Sequence, residues 1–134
     1  MRILTTQYNY LYKVALVAQP GLEDVGFKVD MQLIDRATLL QNRNDPANWD
    51  IFVTSGAMQP KPGLMSSFNQ AYPGWWDTPA VRAAVQTYVA SPDQSARMAS
   101  WKKMQALYYT EVPNLLIGYF ADLYGFSAKV QGFT

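Results

Sequence analysis

Residues 49–76 have the sequence WDIFVTSGAMQPKPGLMSSFNQAYPGWW, and this stretch decides how the rest of the chain is interpreted. It begins with a short apolar strand at 50–54 and continues as a loop rich in Gly, Pro, Met and aromatic residues. From position 51 onward its only charged side chain is Lys61. Loops usually lie on the surface and are polar, so this one is expected either to be buried or to line a ligand cleft. We favour the cleft, with its second wall outside this chain.

Length and composition predict one globular domain. The chain has 134 residues, 49% of them apolar and 16% charged, which is enough to form a core. Its net charge of +1 is spread without a basic cluster, so nucleic acid is disfavoured as a partner. No apolar run reaches the length of about 18 residues that a membrane span needs. We therefore expect residues 1–134 to form a single domain.

The sequence contains neither Cys nor His. Thiol nucleophiles, histidine-based triads and zinc sites built on these residues are therefore excluded. The acidic residues show neither paired-carboxylate nor calcium-loop spacing, so we expect no metal and no cofactor. Asp50 and Asp122 are interpreted as structural. No secretory signal is visible, and the chain starts directly with a core-strand pattern, so we expect a piece of a longer protein.

The first half of the chain alternates between strands and helices. Apolar residues recur at helical spacing from Leu11 to Val25, and Gly26 is predicted to cap this helix. Pro20 lies inside the pattern, which predicts a kink or two shorter helices. A β-α-β-α-β order predicts an α/β fold with parallel strand pairing and right-handed crossovers. The predicted elements are strands at 3–6, 28–35 and 50–54, and helices at 8–25 and 37–43.

Two helix-start signals follow the central stretch. Thr78-Pro79 predicts an N-cap followed by proline at the first helical position, and Ser91-Pro92-Asp93 repeats the signal. In the second helix Asp93 and Arg97 have the spacing of an ion pair. Pro113 is predicted to end that helix. The remaining predictions are an apolar stripe at Val81, Ala84, Val85 and Tyr88, a shared face for Trp101, Met104 and Tyr108, a strand at 115–120, and an extended piece at 124–130.

Polar residues follow the first and third predicted strands at the points where these strands end. They form the segments Thr5-Thr6-Gln7-Tyr8 and Thr54-Ser55-Gly56. Ligands of open α/β sheets bind beyond the carboxyl ends of the strands, so we expect these segments to face a ligand. A simple turn with a helix cap is the alternative for the first segment. No glycine fingerprint occurs there, which disfavours a nucleotide phosphate.

Ser55 is the one candidate nucleophile that we considered. It has no histidine base, its context is not a nucleophile elbow, and a pair with Lys61 has no supporting motif. Catalysis is therefore disfavoured. Trp75 and Trp76 are candidates for lining the cleft, because aromatic walls are common in ligand pockets. Neighbouring residues rarely bury on the same side, so we expect one Trp of the pair to stay partly exposed.

The ordered set of motifs resembles the second lobe of a type II extracytoplasmic solute-binding protein. The class is the oligopeptide/dipeptide/nickel-binding class (family 5) that serves ABC importers. The resemblance extends over essentially the whole chain. The matching segments are 22–29 with the following strand and Asp35, Trp49-Asp50-Ile51-Phe52, Ser91-Pro92-Asp93 through Arg97, Gln105, Val112-Pro113, and Val130-Gln131-Gly132-Phe133.

This resemblance implies one lobe of a type II periplasmic-binding-protein-like fold, with a mixed, mostly parallel sheet flanked by helices. It also implies an extracytoplasmic location, an ABC permease as partner, and a missing first lobe. Peptide binders of the family hold the α-amino group of the peptide with an aspartate, and that position falls near Met58 or Gln59 here. The solute is therefore expected to be less cationic, or to meet its countercharge on the absent lobe. The predicted ligand contacts are Thr6, Gln7, Thr54, Ser55, Gly56, Gln59, Trp75 and Trp76.

Two other functions are compatible with the sequence. The surface at 56–76 is a candidate for binding another protein, which would make the chain an interaction module. A small α/β hydrolase that uses Ser55 is the second alternative, and the lack of a base argues against it.

Overall fold

The computed structural model describes residues 1–8, 10–57, 59, 61, 65–121, 125–127 and 129–132. Three strands and four α-helices lie in these ranges. The strands are β1 (Arg2–Thr5), β2 (Asp30–Leu33) and β3 (Ile51–Phe52), and the helices are α1 (Leu11–Asp24), α2 (Arg36–Asn42), α3 (Pro79–Ala90) and α4 (Gln94–Glu111). Short 3-10 turns occur at Pro46–Asn48 and Ser66–Phe68.

The three strands form a parallel sheet in the order β2-β1-β3. Ile3 of the central strand pairs with Met31 on one side and Ile51 on the other. Ile3 and Leu4 point to opposite faces, yet both are buried, as expected for a strand covered on both faces. The predicted α/β class and parallel pairing are confirmed. β2 and β3 are shorter than predicted.

Helix α1 packs on the sheet through Leu11 and Ala15, which are buried. It runs unbroken through Pro20, so the predicted division into two helices is wrong. Proline removes the hydrogen bond to the carbonyl four residues earlier. That carbonyl belongs to Leu16, which is exposed like Pro20 itself, so water can satisfy the freed group. The predicted buried stripe of α1 is also shorter than expected, because Ala18 and Val25 are exposed.

The predicted C-terminal cap of α1 at Gly26 is confirmed. Gly26 has a φ of 94°, a left-handed conformation that glycine adopts without a steric penalty. Its N–H donates to the Glu23 oxygen at 2.9 Å, and the Phe27 N–H donates to the Leu22 oxygen at 3.0 Å. This pair of bonds is a Schellman motif, which satisfies carbonyls at the end of the helix.

Helices α3 and α4 form an antiparallel hairpin with its own core. Val81, Ala84 and Met104 are buried between the helices together with Phe68 from the preceding loop. Val85, Tyr88, Trp101 and Tyr108 pack around them, so both predicted apolar stripes are confirmed. The Ser100 hydroxyl donates to the Ala84 oxygen at 2.7 Å, which satisfies a buried polar group inside this core.

Of the two hairpin helices, α3 starts where the sequence predicted and α4 starts later. Thr78 caps α3 by accepting the Val81 N–H at 3.3 Å, with Pro79 at the first helical position, as predicted. Helix α4 begins later than its signal suggested, because Asp93 is the residue that accepts the Ala96 N–H, at 2.8 Å. Arg97 donates to the Ser91 oxygen at 3.3 Å and makes no ion pair with Asp93 within 4.0 Å, so that predicted pair is not formed.

The segment after α4 departs most from prediction. Helix α4 ends at Glu111, before Pro113 as expected, but residues 115–120 form no strand. Leu115 and Ile117 are 76% and 67% exposed. A strand needs a neighbour to satisfy its backbone groups, and this segment has none in the described structure. The extended piece predicted at 124–130 lies partly outside the described residues, and Asp122 lies wholly outside them.

Candidate ligand-binding edge

The strand order creates a crevice at the carboxyl ends of β1 and β3. The chain leaves β1 through α1 to reach β2 on one side, then returns through α2 to β3 on the other side. Loops that leave β1 and β3 therefore diverge, which defines the topological switch point of an open α/β sheet. Ligands of such sheets bind in this crevice. The two polar segments singled out in the sequence follow these two strands.

Pairing between β1 and β3 continues past the assigned strands. Leu4 is in register with Phe52, and the Val53 N–H donates to the Leu4 oxygen at 2.9 Å. Thr6 and Thr54 each come two residues after the last paired residues, Leu4 and Phe52, so both lie at the same edge of the sheet. Thr6 is 3% exposed, whereas Thr54 is exposed. The sheet edge thus carries one enclosed and one open hydroxyl.

The remaining predicted contacts near this edge differ in exposure. Gln7, Gly56 and Gln59 are exposed, and Ser55 is half-buried. The Thr5 hydroxyl oxygen is buried without a hydrogen-bond partner, and an unsatisfied buried hydroxyl is costly. Met58 lies outside the described residues.

Trp75 and Trp76 belong to two different clusters. Trp75 stacks on Trp49 with ring centroids 6.1 Å apart, and Trp49 precedes β3 instead of following it. Trp76 packs against Phe68 at 5.4 Å, and its indole N–H donates to the Glu111 carboxylate at 2.6 Å. The predicted partial exposure of one Trp is confirmed, because Trp75 is 39% exposed. Trp76 lies on the α3–α4 hairpin.

Residues 65–77, which we call the bridging segment, connect the sheet to the helical hairpin. On the sheet side, Tyr72 lies 6.4 Å from Phe52 between ring centroids and accepts a hydrogen bond from Arg43 at 3.1 Å. On the hairpin side, Phe68 and Trp76 contact Tyr108. The described aromatic rings of this segment pack internally, as the burial explanation for the uncharged stretch predicts, and the ligand cleft stays a prediction.

A third polar element lies at the same end of the sheet, after β2, and sequence reasoning did not single it out. Asp35 caps α2 by accepting the Thr38 N–H at 3.0 Å and the Thr38 hydroxyl. These hydrogen bonds, the hydroxyl first, lower the pKa of Asp35. The next residue, Arg36, places its guanidinium carbon 4.0 Å from the centroid of the Tyr8 ring. Thr6 and Thr54 were selected because they are polar residues that follow a predicted strand. The same criterion applied to the second strand would have selected Arg36.

Two concave regions lie away from this edge. One, of about 250 Å³, lies at the opposite end of the sheet and is lined by Arg2, Asp30 and Asp50 among others. The other, of about 590 Å³, lies between residues 66–71 and α3. Neither region is lined by a predicted ligand contact.

The described part of the chain offers no other obvious chemistry. It contains no group of three or more Asp, Glu, His or Cys residues that could hold a metal ion. Among the helices that the structure describes, none is long and apolar enough to cross a membrane.

The open edge and the parallel α/β sheet are those of one lobe of a periplasmic-binding-protein-like fold. No family model and no curated protein matches the chain. A solved structure that does match is a dipeptide-binding protein from Pseudoalteromonas sp. SM9913, crystallised with Met-Leu. The TM-score is 0.68 at 18% identity, over 84% of this chain and 25% of that chain. This likeness shows the fold. Our chain spans about a quarter of the matched protein's length.

Proposed function

We propose that this chain is one lobe of a two-lobe solute-binding protein and that its solute is a peptide or a peptide-like molecule. The observation that carries the proposal is that two polar segments, which contain Thr6 and Thr54, follow the paired parallel strands β1 and β3 at the same edge of the sheet. Support for the solute class comes from the matched fold, whose crystallised representative holds the dipeptide Met-Leu. Binding, and not catalysis, is the activity that this open edge can perform alone.

Contacts to the solute are assigned mainly to hydroxyl and amide groups. Gln7, Thr54 and Ser55 offer accessible donors and acceptors at the two strand ends, and Gly56 and Gln59 continue the second loop. Thr6 is enclosed beside them, so its contact with a solute requires a local opening of this edge. Trp75 remains accessible, but it stacks on Trp49 ahead of β3, so a solute at the strand ends would have to extend along β3 to contact it. Trp76 has its N–H committed to Glu111, so its contribution to the site requires a rearrangement of the hairpin.

The exposed surface supports a missing lobe. The chain has 9712 Å² of accessible surface, about 2,600 Å² more than the roughly 7,100 Å² expected for a folded monomer of its mass. Exposed apolar side chains contribute to this surface, including Leu115, Ile117 and Tyr119 in the segment after α4. Large, permanent interfaces bury about 2,000–5,000 Å² counted over both partners, so an excess of about 2,600 Å² on one partner lies at the upper end of this range. The closure of two lobes around a solute is a common hinge motion of binding proteins.

The same resemblance supports a cellular location and a partner for this function. The two-lobe protein would act outside the cytoplasm and deliver its solute to an ABC permease. A protein-interaction role for the surface at 56–76 has less support, because Phe68 and Pro73 are buried and Trp76 is half-buried.

Nuclear magnetic resonance titration of the chain with Met-Leu tests the proposal. We expect shifts of the backbone amides of Thr6, Thr54 and Ser55, with a dissociation constant in about the millimolar range because one wall is absent. Thr54→Val removes one hydroxyl and should weaken binding. The matched control is Thr110→Val on the exposed surface of α4, which should leave binding unchanged.

Two results would count against the proposal. Submicromolar binding by the chain alone would contradict the missing wall. Shifts confined to residues 66–71 and the neighbouring face of α3 would move the site to the larger concave region and away from the strand ends.

A further inference from the structure

Arg36 is the cation that the fold leaves without a carboxylate at the candidate edge. It is exposed and follows Asp35, yet the Asp35 oxygens are occupied by Thr38. Among the described residues no carboxylate lies within 4.0 Å of its guanidinium, and the one ion pair found there joins Arg82 to Asp77 at 3.3 Å. The partner of Arg36 is instead the face of the Tyr8 ring.

The position of Arg36 within α2 is unfavourable for a cation. It is the first residue of the helix, where the helix dipole is positive and acidic side chains are preferred. Stacking on Tyr8 holds the guanidinium near the end of β1, because Tyr8 follows Thr6 by two residues, at most about 7 Å along the backbone. The forked donors of an arginine held in this way suit a planar carboxylate.

We propose that Arg36, supported by Tyr8, binds a carboxylate group of the solute. This inference rests on the proposed solute-binding function, and it identifies the solute as one that carries a carboxylate toward the β2 side of the edge. An ammonium group is disfavoured there because the nearby acid, Asp35, already serves as a helix cap. A phosphate is disfavoured because the loops after β1 and β2 lack the glycines that let a backbone enclose one.

The test compares two probes that differ only in charge at one end. N-acetyl-leucine ends in a carboxylate and N-acetyl-leucinamide ends in a neutral amide. The chain should bind the acid about fivefold more tightly than the amide, as expected for an accessible ion pair. Arg36→Gln should abolish this preference. Arg82→Gln makes the same change in net charge on α3 and should keep the preference.

Tyr8 supplies a second, independent readout. Tyr8→Phe retains the ring face and should keep the preference for the acid, whereas Tyr8→Leu removes the stacking surface and should reduce it. In the unmodified chain, the acid should shift the side-chain Nε–H resonance of Arg36 and the amide probe should not. This measurement stands even if a variant fails to fold.

The outcomes separate the two proposals. If both probes shift the amides of Thr6 and Thr54 and bind with equal affinity, the carboxylate inference is wrong and the solute-binding proposal survives. If neither the probes nor Met-Leu shift these amides, the solute-binding proposal fails. Acetate and inorganic phosphate should also be compared, at equal ionic strength, as competitors of the acid probe. If the two compete equally well, Arg36 is an unselective anion site and the carboxylate inference is overturned.

Discussion

The indole ring of Trp75 stacks on that of Trp49, with centroids 6.1 Å apart and planes inclined by 21°. Trp75 has a φ of 43° and follows Gly74 at 105°. This left-handed turn directs the ring of Trp75 to the sheet, while the ring of Trp76 packs on the hairpin. The stacked pair therefore helps to hold the bridging segment on the sheet.

A double-mutant cycle should detect this stacking. Trp49→Leu and Trp75→Leu are expected to show a coupling energy of about 0.5–1.5 kcal/mol in urea unfolding, the range for aromatic pairs. Trp76 packs in a different cluster and serves as the control. Trp49→Leu combined with Trp76→Leu should be additive, and coupling of equal size in both cycles would contradict two separate clusters.

Local signals in the sequence predicted the local structure well. Thr78 and Gly26 each cap a helix through hydrogen bonds within a few residues. The identity of each residue was therefore enough to predict its cap. The alternation of strands and helices likewise predicted parallel pairing, because crossover connections leave few other arrangements.

Features that depend on distant partners were predicted poorly. The apolar segment at 115–120 has the composition of a strand, yet a strand also needs a neighbour, and the sequence does not say whether one is present. Trp75 and Trp76 were treated alike because their separation depends on one backbone turn at Gly74. Thr6 and Thr54 could be placed at one edge because both follow parallel strands, whereas Arg36 was overlooked although it follows β2 at the same end of the sheet.

The hairpin core predicts a large effect at Met104. Met104 is fully buried between α3 and α4, while Met98 on the same helix is 48% exposed. Met104→Ala should lower the free energy of unfolding by about 2–5 kcal/mol, because it removes buried contacts and leaves a cavity. Met98→Ala should change it by less than about 1 kcal/mol. Urea denaturation followed by circular dichroism measures both, and equal effects would contradict the assigned face of α4.

The N-cap of α4 predicts a dependence of stability on pH. Hydrogen bonds to Asp93, from the Ser95 hydroxyl first and then the Ala96 N–H, lower its pKa below the ordinary value of 3.8. The folded state therefore favours the ionised form, and the carboxylate stabilises the fold fully above the pKa of the unfolded state. This contribution is lost as pH falls below about 4, through the lowered pKa.

Asp93→Asn isolates the contribution of the ionised carboxylate to stability, because asparagine caps helices but does not ionise. Stability measured between pH 6 and pH 2.5 should fall less steeply in Asp93→Asn than in the unmodified chain. Asp24→Asn changes a carboxylate that caps no helix N-terminus and should preserve the original steepness. An identical pH profile for Asp93→Asn would show that the capping carboxylate does not contribute to the acid sensitivity.

The two glycines of α1 and its cap should respond oppositely to alanine. Gly21 lies inside the helix and Gly26 follows it at a φ of 94°, and a Cβ added at either position meets no atom within 4 Å. Only backbone conformation therefore distinguishes them. Gly21→Ala should raise the free energy of unfolding by about 0.5–1 kcal/mol, since alanine favours the helix. Gly26→Ala should lower it by about 1–2 kcal/mol, since alanine resists the left-handed conformation. Thermal unfolding of the two variants measures the contrast, and stabilisation by both would contradict the Schellman cap.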